Sequence, residues 1–257
     1  MKIYFRHVKM HIKRMMEYRA SFTLMMISQF FTPFVSAAGI YFLFERFGTL
    51  GSWEFQQVLL CFSVTFAAFG FAECFARGFD RFSREIRTGS FDRILLRPRS
   101  AALLTACADF DITRLGKAIF AGGLLIYSAL NSGISWTAMK LITLLMMVLG
   151  GTLTFCALFV INAALCFVTI EGTEIMNIFT NGGSELASYP LDIYPMEVTR
   201  FFTFIVPFGA ANFVPLLFLL DKAQLINAFA PLLALPFFAA SLILFNIGVR
   251  KYRSVGS

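Results

Sequence analysis

Charge is scarce in this chain. Only 14% of its 257 residues are Asp, Glu, Lys or Arg, where soluble domains carry roughly a quarter. Hydrophobic residues make up 58%, and the mean hydropathy is +0.74. One soluble core cannot hide that much apolar surface without leaving large exposed patches, so the solvent for most of the chain is a bilayer. Cysteine is sparse too. Cys61, Cys74, Cys107, Cys156 and Cys166 contain no C-x-x-C pair and mostly sit inside apolar runs, which argues against a disulfide frame and a metal site. The two histidines, His7 and His11, stand among cations with no third ligand nearby. There is no G-x-x-x-x-G-K-[ST] run to cradle ATP phosphates, no H-E-x-x-H and no aspartate-rich diphosphate motif. No residue is therefore assigned as catalytic, and an intramembrane enzyme is disfavoured.

What is present is long apolar runs with basic ends. Lys and Arg number 22 against 15 Asp and Glu, giving a net charge of +7. In a polytopic protein such an excess collects on the cytoplasmic side. Residues 1–19 place Lys2, Arg6, Lys9 and Lys13 opposite Phe5, Val8, Ile12, Met15 and Met16, the pattern of a helix lying in the membrane interface. The run that follows, 20–44, is too long for a cleaved signal and is expected to be retained. Further crossings are expected at 54–76, 113–130, 141–167 and 229–249. A short interfacial helix is expected at 100–108, and Asp111 is placed to cap the third span. Gly122–Gly123 and Gly150–Gly151 are candidates for close helix approach.

The amino terminus, residues 77–99 and the carboxyl-terminal tail hold most of the cations, while the turns at 45–53 and 131–136 hold almost none. Both termini then face the cytoplasm and the number of crossings is even. One crossing must lie between 171 and 227. Hydropathy alone selects 201–220. The stretch "SELASYPLDIYPMEVTR" carries only Arg200 as a cation, which makes it a poor cytoplasmic loop and favours 172–189 instead. The proline-broken 201–220, with Pro207 and Pro215, then becomes a re-entrant hairpin within an outer region, 190–226. The expected architecture is all-α: an interfacial helix, then one six-span membrane domain over 20–257, with a cytoplasmic coupling region at 78–100.

"SREIRTGSFDRILLRPRS", residues 83–100, interrupts the oily runs with a compact charged segment. Phe91, Ile94 and Leu95 fall at i, i+3 and i+4, Gly89 precedes them and Pro98 ends the segment. A short helix with an apolar face and an Arg-rich face fits two uses. It can hold anionic lipid headgroups. It can also dock a soluble partner, with Phe91 and the leucines as anchors and Arg84, Arg87, Arg93 and Arg97 as specificity contacts. A secondary transporter or channel is the rival reading. It would put ionisable residues near the bilayer midplane, whereas Glu73, Asp109, Asp111, Arg114, Lys117, Glu171 and Glu174 gather near expected cytoplasmic ends, where pairing is their expected role. Gln29 and Asn162 are the candidate substrate-path residues.

"RTGSFDRILLRP" resembles the cytoplasmic segment of ABC-2-type transporter permeases, in the subgroup that reads roughly G-x-(F/L)-D-x-x-L-L-R-P. "YPLDIYP" followed by "VPFGAANFVP" is similar to that subgroup's outer segment, and "EYRASF" to its entry into the first span. The resemblance implies a six-span permease of an ATP-driven exporter in the bacterial inner membrane. Gly89, Phe91, Asp92, Leu95, Leu96, Arg97 and Pro98 would belong to a coupling helix that docks an ATP-binding subunit, and Tyr189, Pro190, Ile193, Tyr194, Pro195, Pro207 and Pro215 to the outer segment. It also implies a second permease subunit, identical or related, with ATP and Mg bound by the partner ATPase and no cofactor in this chain.

Overall fold

The structure is a computed structural model that describes residues 15–169 and 173–252, together with Met10 and Lys13. Most of the expected interfacial helix at 1–19 lies outside the described residues. The described chain is an all-α membrane bundle. Its long helices are α1 (Arg19–Phe47), α2 (Phe55–Phe75), α7 (Leu115–Asn131), α8 (Ala138–Leu165) and α13 (Ala234–Lys251). Four short helices lie between α2 and α7: α3 (Arg77–Asp80), α4 (Phe82–Arg87), α5 (Ser90–Leu95) and α6 (Ala101–Ala108). Four more lie between α8 and α13: α9 (Thr173–Asn177), α10 (Gly183–Ala187), α11 (Met196–Phe204) and α12 (Val214–Leu219).

Four helices are long and apolar enough to cross a membrane: α1, α2, α8 and Leu225–Lys251, the last made of a 3-10 stretch running into α13. Their burial differs sharply. In α2, 89% of the apolar window is buried, against 22% in α1, so α2 is the post of the bundle and α1 is mostly coated by lipid. Against α2 pack α7 and α8, and α13 lies on α8. Small residues permit the approach. A Cβ on Gly70 would come within 2.9 Å of the Ala118 backbone nitrogen, and one on Gly151 within 2.9 Å of the Ala68 Cβ. Of the two glycine pairs singled out by sequence, only Gly150–Gly151 serves this purpose; Gly122 and Gly123 face open space. Asp111 caps as expected, its carboxylate accepting from the Thr113 N–H at 3.2 Å at the entry to α7.

Residues 173–187 form one helical run of α9, a π turn (Ile178–Gly182) and α10. After it come α11 and then Gly209–Leu219, a second π turn leading into α12; these two arms are bent by 85°. Pro207 occupies the bend. Pro215 falls in the first turn of α12, where its missing N–H is tolerated and the wide π turn precedes it. Both ends of this bent pair return to one place. Trp53 Nε1 donates to the Asp192 carboxylate at 2.8 Å, and Lys222 lies over the same indole at 4.9 Å. Beside them Lys140, at the start of α8, pairs with Asp221 at 2.8 Å. The chain between 192 and 222 thus enters and leaves at the end of the bundle marked by the α1–α2 turn. Its bent middle goes deep: Phe208 packs at a tilt against Phe155 with ring centroids 4.8 Å apart, and Phe155 against Phe69 at the same distance.

Candidate functional site

At the opposite end of the bundle, α3 to α6 form a compact cap, and its local chemistry explains each turn. Gly78 in α3 lies so close to α6 that a Cβ there would collide with the Thr105 carbonyl oxygen, so only glycine lets the two helices meet. Gly89 takes φ +65°, the left-handed conformation that reverses the chain between α4 and α5. Ser90 donates to the Glu85 side chain across that reversal, and its hydroxyl lies 3.0 Å from that of Thr88. Pro98 follows α5, where a helix cannot continue.

The cap is riveted to the spans by aromatic rings. Phe82 and Phe91, both fully buried, meet edge to face at 5.0 Å. Phe82 also contacts Phe167 at 5.2 Å and Phe245 at 5.5 Å, and Phe91 contacts Tyr252 at 5.1 Å. Phe167 follows α8, while Phe245 and Tyr252 lie on and just after α13. A push on α4 or α5 is therefore transmitted to two spans through packed rings.

This corrects the sequence reading of Phe91. It is 0% exposed and cannot be a surface anchor. The apolar stripe of α5 straddles the boundary: Phe91 points in, Ile94 is half-buried, and Leu95 and Leu96 are exposed, Leu96 at 85%. Arg84, Arg87, Arg93, Arg97 and Pro98 share that outer face. Among the described residues none of these four arginines forms an ion pair with a carboxylate. Asp92 is partly buried and Gly89 serves the turn. A shallow groove of about 310 Å³ runs beside the exposed face, lined in part by Arg93, Ile94, Arg97 and Leu104.

Gln29 and Asn162 also need correction. Each has a partner on another helix, the alternative to a path role. Gln29 Oε1 accepts from Arg114 at 3.1 Å, and Asn162, only 2% exposed, donates to the Asp80 carbonyl at 3.1 Å. Both tie helices together, because a polar side chain among packed spans is most stable with a fixed partner. Of the seven ionisable residues, Glu73, Asp109, Asp111, Arg114 and Lys117 pair at this end, Glu174 forms no ion pair among the described residues, and Glu171 lies outside them. Glu73 accepts from Lys117 at 2.6 Å and from Arg114 at 3.0 Å, with Arg77 at 3.4 Å, and Arg114 also reaches Asp111 at 3.4 Å. This network is buried, so removing one partner would leave an uncompensated charge.

The outer-segment residues gather at the far end. Pro190, Pro207 and Pro215 are buried, Tyr189 and Tyr194 half-buried, and Ile193 and Pro195 exposed. Sequence reasoning passed over Asn212, which lies 5% exposed inside the bundle. Its amide nitrogen sits 2.6 Å from the Thr65 hydroxyl and 3.0 Å from each of the Cys61 and Ala187 carbonyls. The available signal was a lone amide inside the apolar "VPFGAANFVP".

A family model described as ABC-2 family transporter protein matches residues 30–256. The chain belongs to the ABC-2 transporter family. It is a permease of an ABC-type transporter, and the match covers both the cap at one end and the bent pair at the other. None of the curated proteins and none of the solved structures matches it. In this permease the cap and the two ends of the bent pair fall at opposite ends of one bundle, joined by α2 and α8.

Proposed function

We propose that this permease is the membrane subunit of an ATP-driven exporter and that its cap docks a separate ATP-binding subunit. The observation that carries the reading is the two-sidedness of α5. Its inner side is locked to α8 and α13 through Phe91, while its outer side presents Leu95 and Leu96 among arginines without ion-pair partners. Exposed leucine beside unpaired guanidinium is a surface suited to a partner with an apolar pocket and an acidic rim. The groove beside Arg93 and Arg97 adds shape to it.

In this reading six segments cross the bilayer: α1, α2, α7, α8, the run 173–187 and Leu225–Lys251. The bent pair between 192 and 222 is a re-entrant hairpin on the outer face. Support comes from Trp53, which touches both Asp192 and Lys222, as a hairpin with both ends on one side requires. The cation-rich cap faces the cytoplasm, as do both termini, and the membrane is the bacterial inner membrane. Two permease subunits, identical or related, work with two ATPase subunits that supply ATP and Mg.

The test is ATPase stimulation. The full-length permease is reconstituted with its purified ATP-binding subunit, and hydrolysis is compared for the native chain and for Leu96→Asp with Arg97→Glu. The expected outcome is stimulation by the native chain and at least a tenfold loss of subunit binding for the double variant, with the permease's thermal unfolding unchanged. Equal stimulation by both chains would reject docking through α5.

A further inference from the structure

Between the cap and the spans lies a cavity of about 560 Å³ that the coupling role does not use. Its position follows from the helix directions. Phe69 in α2 and Phe159 in α8 form the wall nearest the middle of the bundle, and Arg81, Ser83 and Arg84 in the cap form the wall nearest the cytoplasm. Asn177, Thr180 and Asn181, from α9 and the adjoining π turn, close one side. An apolar floor beneath a cationic mouth is an amphipathic site.

The charge balance points to the ligand. The lining holds four guanidinium groups, on Arg77, Arg81, Arg84 and Arg114, against two carboxylates, on Glu73 and Asp80. Behind the lining, Lys117 pairs with Glu73, Asp109 with Arg81 at 2.7 Å, and Asp111 with Arg114. Arg84 is the guanidinium of this lining that forms no ion pair among the described residues. Arg77 is 14% exposed and gives one terminal nitrogen to Asp80 at 2.6 Å, while its Nε is buried with no hydrogen-bond partner. Burial also pushes the Asp80 carboxyl above its ordinary pKa, against the pull of Arg77. An unsatisfied buried donor is costly, and an anion that reaches it and the solvent-facing Arg84 relieves that cost.

We propose that this cavity binds a phosphate-type oxyanion, held by Arg77 and Arg84, with any attached apolar portion lying against Phe69 and Phe159. The oxyanion has two sources: the headgroup of an anionic amphiphile entering from the inner leaflet, or a water-soluble phosphate from the cytoplasm. The site is built within one permease chain, so it does not depend on the docking proposal and is tested without the ATPase.

The full-length chain in uncharged detergent at low salt is titrated with dioctanoyl phosphatidic acid, with inorganic phosphate and with neutral dioctanoylglycerol, following the thermal unfolding midpoint. A rise with phosphatidic acid but not with inorganic phosphate identifies the amphiphile as the source; a rise with both at similar concentrations identifies the water-soluble ion. Arg84→Gln, at an exposed position that no ion pair holds, should weaken whichever response is seen by about tenfold. Arg250→Gln, the same charge change at an exposed site away from the cavity, should leave it intact. No response to either phosphate, an equal response to dioctanoylglycerol, or equal losses in the two variants would overturn the proposal.

Discussion

The two ends of the bundle are held together by different physics. At the inner end, packed rings join the cap to α8 and α13, and Glu73 gathers three cations beneath it. At the other end, the bent pair packs its deep middle on a ring, Phe208 against Phe155, and adds directed polar contacts: Trp53 to Asp192, Lys140 to Asp221, and the Asn212 amide among Thr65, Cys61 and Ala187. Close-packed rings pass on a displacement because no ring can move alone. A handful of hydrogen bonds beside two π turns can be exchanged one at a time. Under the proposed docking role, the capped end would receive motion and the end with the bent pair would yield to it.

The sharpest way to break the comparison is to loosen the inner rivet. Phe82→Ala removes a fully buried ring that touches Phe91, Phe167 and Phe245, and should cost about 3–5 kcal/mol. Thermal unfolding of the purified chain measures it. A loss under 1 kcal/mol would mean that the cap is not structurally coupled to the spans.

The outer node should be softer. Asn212→Ala leaves the Ala187 and Cys61 carbonyls without the amide donor but keeps the Thr65 hydroxyl, which already lies 2.8 Å and 3.1 Å from them, so about 1–3 kcal/mol is expected. Hydrogen exchange should then rise across residues 196–219 and stay unchanged in α5. Exchange rising equally at both ends would remove the distinction between them.

Weaker still is the clamp at the outer surface. Trp53→Phe keeps the packing and deletes the bond to Asp192, for about 1 kcal/mol. It should leave the sidedness of the hairpin intact. Cysteines introduced at the exposed Glu197 and Gln224 should both react with an impermeant thiol reagent from outside the cell, in the native chain and in Trp53→Phe alike. Labelling of position 197 only from the cytoplasm would make 201–220 a crossing and overturn the hairpin.

The smallest effect on stability is expected at the exposed leucines. Leu96→Ala should change the unfolding midpoint by no more than about 0.5 kcal/mol, because that side chain is largely exposed. Its effect belongs to subunit binding, the opposite of Phe82→Ala in the same cap.

The sequence by itself determined the solvent and the positions of the long helices. Those follow from a local quantity, the length of each apolar run, and the helices at Arg19–Phe47, Phe55–Phe75 and Ala138–Leu165 lie within a few residues of the expected spans. Helical spacing also placed Phe91, Ile94 and Leu95 on one stripe of α5. Which part of that stripe faces outward was decided only by tertiary structure. Lipid, protein interior and a docking surface all accept an apolar face, so periodicity cannot tell a rivet from an anchor. Phe91 became a rivet because Phe167 and Tyr252, distant in sequence, meet it at the ends of α8 and α13. The same holds for Gln29, Asn162 and Asn212. A lone amide in an apolar run signals a hydrogen bond within the bundle, and only the packing of the helices supplies its partner.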